Sequence, residues 1–131
     1  MKRTPVNPWP WSLEMGFNQG EVVEGHTREL FLAGQTAVNA DGQPQHAGDM
    51  EAQLALAIDN IEAVLHGAGM ELTNIVRLNI YTTDVDAVFA NLGVLAERLG
   101  AIGVTPPGTL LGVARLAFPE LMVELEATAV A

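Results

Sequence analysis

The sequence predicts an α+β fold in which two amphipathic helices cover one face of a mixed β-sheet. Three observations predict it. Apolar residues recur at spacings of three and four over two stretches, 49–68 and 83–99, the signature of a helix with one buried face. Two other stretches, 74–82 and 121–130, alternate apolar and polar residues, as a strand with one buried face does. With 49% hydrophobic and 17% charged residues in 131, the chain can build a core, and its length suits one domain.

The elements follow in order. Residues 1–14 carry Pro5, Pro8 and Pro10 with Trp9 and Trp11, which reads as an extended arm anchored by its indoles; a lid over a pocket is the alternative use of those rings. Phe17 to Glu24 and Arg28 to Gly34 read as two strands joined by a turn at Gly25-His26. The small Ala33-Gly34 pair after Leu30 and Leu32 suggests a strand that ends against something close. Asn39-Ala40-Asp41-Gly42 is a turn. Met50, Leu54, Ala57, Ile58, Ile61, Val64 and Leu65 form the first helical stripe, stopped by Gly67 and Gly69. Val76, Leu78 and Ile80 then point opposite to Arg77, Asn79 and Tyr81. Thr83-Asp84 caps the second helix, whose stripe is Val85, Val88, Phe89, Leu92, Leu95 and Leu99. Two strands close the chain, Thr109 to Leu116 and Leu121 to Val130. The order is β-β-α-β-α-β-β, and the sheet face without helices must meet another subunit or a ligand.

Charge narrows the partners. Six Lys and Arg against sixteen Asp and Glu give −10, which argues against a phosphate-tracking surface and so against nucleic acid. A low charged fraction in so small a chain points to apolar surface hidden between subunits. There is no Cys, so thiolate metal sites and cysteine nucleophiles are excluded. No apolar run approaches a membrane span, and Met1-Lys2-Arg3 leads into prolines rather than an apolar leader; a cytoplasmic location is expected. His26, His46 and His66 have no spacing that converges on a metal. Gly67-Ala68-Gly69 follows a helix, unlike a dinucleotide loop. Neither a metal nor a cofactor is expected.

Glu124 and Glu126 stand out, two carboxylates on one face of an apolar terminal strand. They serve as a solvated or interface pair, or as a proton-exchanging group in a cleft. Two acids so close should push their pKa values apart.

The stretch Pro106-Pro107-Gly108-Thr109-Leu110-Leu111-Gly112-Val113-Ala114-Arg115-Leu116, followed by Val123-Glu124-Leu125-Glu126-Ala127, resembles the signature of the RidA/YjgF (Rid) family. Met15-Gly16-Phe17-Asn18-Gln19-Gly20 and Leu32-Ala33-Gly34-Gln35-Thr36 are similar to its N-terminal motifs. The resemblance runs from about residue 15 to the end and implies a chorismate-mutase-like homotrimer with ligand clefts between subunits. It implies hydrolysis of enamines and imines, such as 2-iminobutanoate and 2-iminopropanoate, to keto acids and ammonia. Carried onto this chain, it makes Glu124 the catalytic acid/base and Phe17, Ala33, Gly34, Asn91, Gly108 and Thr109 the substrate-binding positions.

The chain departs from the family pattern at three of these. Gly108 stands where an Arg clamps the substrate carboxylate, Phe17 where a Tyr lines the cleft, and Ala33 where a hydroxyl is usual. Without the guanidinium, a carboxylate facing Glu124 at about 4 Å is repelled by ~4 kcal/mol at an effective dielectric near 20. A Gly in place of Arg would also open volume. The leading expectation is a homotrimer binding a small carbonyl- or imine-type metabolite, a hydrolase or deaminase with altered preference. The alternatives are a non-enzymatic binding or scaffold trimer, and the family's usual imine deaminase. The charge and the lack of a His pair weigh against ribonuclease activity. Arg115 is expected to pair with an acid or hold the trimer.

Overall fold

The long alternating C-terminal strand becomes the axis of the sheet, because each of its apolar residues finds the core. The computed structural model describes residues 1–131. Its strands are β1 (Lys2–Val6), β2 (Gly20–Glu24), β3 (Glu29–Phe31), β4 (Gln35–Thr36), β5 (Ile75–Thr82), β6 (Leu110–Gly112) and β7 (Val123–Val130). Its α-helices are α1 (Trp11–Glu14), α2 (Met50–Gly67), α3 (Val85–Ala90) and α4 (Gly93–Arg98). β7 lies between β5 on one side and β3 with β4 on the other, all antiparallel to it; β6 adds to β5 in parallel. The sheet is mixed, as the sequence predicts.

Val123, Leu125, Ala127 and Ala129 of β7 are buried against α2, which contributes Leu54, Ala57, Ile58, Ile61 and Leu65 with no exposed surface. Asp49 starts α2 by accepting a hydrogen bond from the Ala52 N–H at 3.0 Å, and Arg98 ties α4 to α2 through Asp59 and Glu62. Four buried residues are polar, Ser12, Asn18, Gln53 and Thr82. Gln53 is fully buried. It donates to the Glu120 carbonyl at 2.7 Å and accepts from the Met122 N–H at 2.8 Å, which holds the loop before β7 onto the helix.

The N-terminal reading needs correction. Residues 1–14 are not one extended arm: Lys2–Val6 pairs with Gly20–Glu24 in a separate two-stranded sheet, and Trp11–Glu14 is helical. Arg3 bonds to Glu21 within that sheet and fastens it to the body through the carbonyls of Thr73 and Ile75. The two early strands consequently do not pair with each other across Gly25-His26; β3 goes to β7 instead. A local hairpin lost to two non-local partners, a choice that residue pattern does not encode. The indoles do not bury the arm either, since Trp9 and Trp11 are 61% and 55% exposed.

The second helix is two. Asn91 ends α3 by turning its side-chain amide back onto the Ala87 carbonyl at 2.8 Å, and Gly93 begins α4. Val88, Leu95 and Leu99 of the expected stripe are buried, but Phe89 is 49% exposed. The last two strands are shorter than their apolar patterns, at Leu110–Gly112 and Val123–Val130.

Candidate functional site

Splitting the second helix leaves part of its apolar stripe uncovered, and a groove forms there. Its volume is about 820 Å³. Leu78 and Ile80 of β5 with Leu110 of β6 make its floor; Leu92, Leu95 and Leu99 make one wall; Trp11, Met15 and Phe17 make the other. The Trp11 and Phe17 rings meet edge to face, 5.9 Å between centroids and 83° between planes, the geometry that aromatic quadrupoles favour. Gly108 and Thr109 lie on its rim. Glu14 is the one ionisable residue in the lining.

A second cavity of about 300 Å³ opens on the helix-free face of the sheet, lined by Gly34, Tyr81, Val113, Arg115, Leu116, Glu124 and Glu126. Its centre is Glu124. The Gly34 α-carbon lies directly beneath the carboxylate: a side chain there would overlap Glu124 Oε1 and stand 2.7 Å from Cδ. This is the close approach that Ala33-Gly34 suggests in the sequence. β3 and β4 both pair with β7 but one residue out of register. In the intervening kink the N–H groups of Ala33 and Gly34 donate to no backbone carbonyl. Arg115 is exposed and has no carboxylate within ion-pair distance.

A hydrogen-bonded chain joins the two regions. The Thr109 N–H donates to Asn79 Oδ1 at 3.1 Å, Asn79 Nδ2 donates to Glu126 Oε1 at 3.0 Å, and the Tyr81 hydroxyl donates to that same oxygen at 2.9 Å. The bonds from Asn79 and Tyr81 hold the Glu126 carboxyl below the usual carboxylate range, Arg77 adds to this, and burial opposes it. The same bond, then burial and the Glu126 charge, push the Tyr81 phenol up. Glu126 therefore stays ionised and Tyr81 stays protonated at neutral pH. Asn79 and Tyr81 were not singled out from sequence, although their outward parity on β5 was visible; Asn79 stands directly opposite Glu126, and only the strand register reveals that.

The structure brings Phe17, Gly108 and Thr109 to the groove, and Gly34 and Glu124 to the second cavity. Ala33 is exposed beside Gly34, and Asn91 spends its amide on Ala87. His26, His46 and His66 stay apart, and no group of three His, Asp or Glu side chains converges.

The volume expected at Gly108 is not there. A Cβ on Gly108 would overlap the carbonyl oxygen of Leu78 and stand 2.6 Å from its carbonyl carbon. The flanking backbone is fixed: Leu78 N–H donates to the Pro107 carbonyl at 3.1 Å and Ile80 N–H to the Thr109 carbonyl at 2.8 Å. Gly108 is a backbone-on-backbone contact, not a vacancy that a side chain left.

A mixed sheet backed by helices, with an apolar groove at one edge and an acid seated on a glycine across the open face, defines an α+β protein whose candidate site is divided between two cavities. Residues 13–131 match the family described as endoribonuclease L-PSP, and the chain belongs to this Rid (RidA/YjgF) family. Over its whole length it is 34% identical to YyfB of Yersinia pestis, a conserved Rid protein of unknown function, covering all of both chains with a TM-score of 0.85. Escherichia coli TdcF, solved with bound serine, is 28% identical over 88% of this chain and 87% of its own, with a TM-score of 0.70. The mitochondrial protein mmf2 of Schizosaccharomyces pombe is 34% identical over 99 residues, 76% of this chain and 75% of its own. No helix is long and apolar enough to cross a membrane.

Proposed function

We propose that the chain forms a homotrimer whose clefts between subunits bind a small carbonyl- or imine-type metabolite and hydrolyse its C=N bond. One observation carries this reading. Five of the seven residues expected at the site divide into two sets in one chain, Phe17, Gly108 and Thr109 on the groove and Gly34 and Glu124 on the other cavity. A cleft holding both sets is completed by a second copy. The relationship to TdcF, which holds serine, supports a small ligand with a nitrogen-bearing carbon.

In this reading Glu124 accepts a proton from water as the water oxygen bonds to the imine carbon. It returns that proton to nitrogen, giving a carbinolamine, and then carries the carbinolamine's hydroxyl proton to the same nitrogen as the C–N bond breaks, leaving a carbonyl and ammonia. Gly34 seats the carboxylate, and the N–H groups of Ala33 and Gly34 face developing negative charge. Thr109 is unsuited to that task, because Asn79 already takes its N–H. RNA cleavage, which the family description names, draws no support from a −10 chain whose groove lining contains no Lys or Arg.

The test generates imines with an amino-acid oxidase in the presence of semicarbazide. The protein should suppress semicarbazone, and Glu124→Gln should abolish the suppression. An inactive protein, or an active Glu124→Gln, overturns the chemistry. Sedimentation as a monomer overturns the cleft.

A further inference from the structure

The groove beside Trp11 selects its occupant by shape and charge. We propose that it is a recognition site for a non-anionic aromatic ligand, the ring of an aromatic amine or of the ketone or imine related to it, and that Trp11 is the residue that selects the ring. The proposal deepens the reading above by naming a substrate class, and rests on that reading only for the C=N chemistry.

Size comes first. At about 820 Å³ the groove is in the upper range for ligand pockets, far larger than a three- or four-carbon imino acid requires. Wall chemistry comes second. Trp11, Phe17 and Phe89 present ring surface to a floor of leucine and isoleucine. An indole 55% exposed, edge-packed on Phe17 and facing a concavity, offers a ring-sized apolar surface that a further ring would cover.

Charge decides the rest. The chain has six cations, and none lines the groove. Arg3 is bound to Glu21, Arg98 to Asp59 and Glu62, and Arg28 to the Ala68 carbonyl, while Arg115 stands in the other cavity, whose lining also holds Glu124 and Glu126. Glu14, at the groove itself, repels an anion. The rim position where the family resemblance expects a guanidinium is Gly108, pressed on the Leu78 carbonyl, so the lack of a cation is built into the backbone. Thr105 and Thr109 supply the polar contacts that a neutral carbonyl or an ammonium needs.

Calorimetric titration of the whole protein tests this with four probes: 2-phenylethylamine, phenylacetone, phenylpyruvate and serine. The first two should bind at least about tenfold more tightly than the last two, and Trp11→Ala should weaken them by up to about tenfold, the factor an aromatic contact is worth. Trp11→Phe should restore most of the loss, and Trp9→Ala should change nothing. Ala96→Trp, which fills the groove from α4, should abolish binding. Phenylpyruvate or serine binding as tightly as the amine would overturn the proposal. So would no binding by any probe, or Trp11→Ala altering the oligomer while binding stays intact, which would make the groove a contact between copies. Binding with no imine hydrolysis would defeat the proposed chemistry and leave this proposal standing.

Discussion

Replacing Gly108 with alanine should cost the protein far more than a methyl group usually does. The added Cβ would overlap the Leu78 carbonyl oxygen, which is backbone and cannot swing away as a side chain can. Either β5 or the 107–109 segment must move. Overpacking of this kind costs about 1–3 kcal/mol. The movement strains two flanking hydrogen bonds, Leu78 N–H to Pro107 and Ile80 N–H to Thr109, each worth about 1 kcal/mol. A loss of about 3 kcal/mol in a chain of 131 residues lowers Tm by about 11 °C, from an unfolding entropy of roughly 2 cal/mol/K per residue. Calorimetry at matched protein concentration measures it, since an oligomer's Tm depends on concentration. Gly67→Ala is the control: a Cβ there meets nothing within 4 Å at the end of α2, and reduced freedom of the unfolded chain should raise Tm by a few degrees. A Tm for Gly108→Ala within about 2 °C of the parent would refute the reasoning. Gly108→Arg should lose at least as much, so this position cannot be refitted with a guanidinium on the existing backbone.

Three other outcomes follow from the site and its support. Gln53→Leu leaves the Glu120 carbonyl and the Met122 N–H without their buried partner, and urea denaturation should show a loss of about 2–4 kcal/mol; a loss under 1 would sink the claim that Gln53 holds the loop. Gly34→Ala meets only the far end of the Glu124 side chain, so stability should fall by less than about 1 kcal/mol while semicarbazone suppression drops as far as in Glu124→Gln; equal losses of both would count against it. Tyr81→Phe should flatten stability at both pH extremes. The raised Tyr81 pKa stabilises the fold below pH 10 and is lost as pH rises through the folded value. The lowered Glu126 pKa, part of which Tyr81 causes, stabilises above pH 4.5 and is lost as pH falls through the folded value. Denaturant midpoints across both limbs that match the parent would contradict the network.

What sequence reveals here depends on whether the signal is local. The α2 stripe is legible because each of its apolar residues meets the same sheet, and the inward residues of β7 for the same reason. Glu124 and Gly34 were legible as candidates, since an acid in an apolar strand and a small pair at a strand end are both unusual. The pairing of β1 with β2 was hidden because nothing in Lys2–Val6 specifies Gly20–Glu24 as its partner. Gln53 was hidden because a polar residue within a helix reads as solvent-facing, and its acceptor lies 67 residues away. Gly108 was misread for a related reason. A motif comparison registers which side chain is missing; it does not register that another strand's carbonyl has taken the place.

Asn79 joins the groove rim of one chain to that chain's second cavity, and its substitution by aspartate tests whether they are coupled. The side chain accepts from the Thr109 N–H on the groove rim and donates to Glu126 in the other cavity. Asn79→Asp keeps the acceptor and loses the donor, setting a second carboxylate beside Glu126, directly across the β5–β7 pair. Two carboxylates so placed cannot both ionise freely, so the pair should take up a proton in the folded state with an apparent pKa above the unfolded one. The folded state then binds more protons than the unfolded state, and stability rises as pH falls. The deficit of Asn79→Asp relative to the parent should therefore be greatest above about pH 6 and shrink towards pH 4, the opposite of the parent's own acid limb. Denaturant midpoints at pH 4, 5, 6 and 8 decide it. A deficit that is the same at every pH would mean that Asn79 acts by packing alone, and that the groove and the Glu124 cavity are held independently.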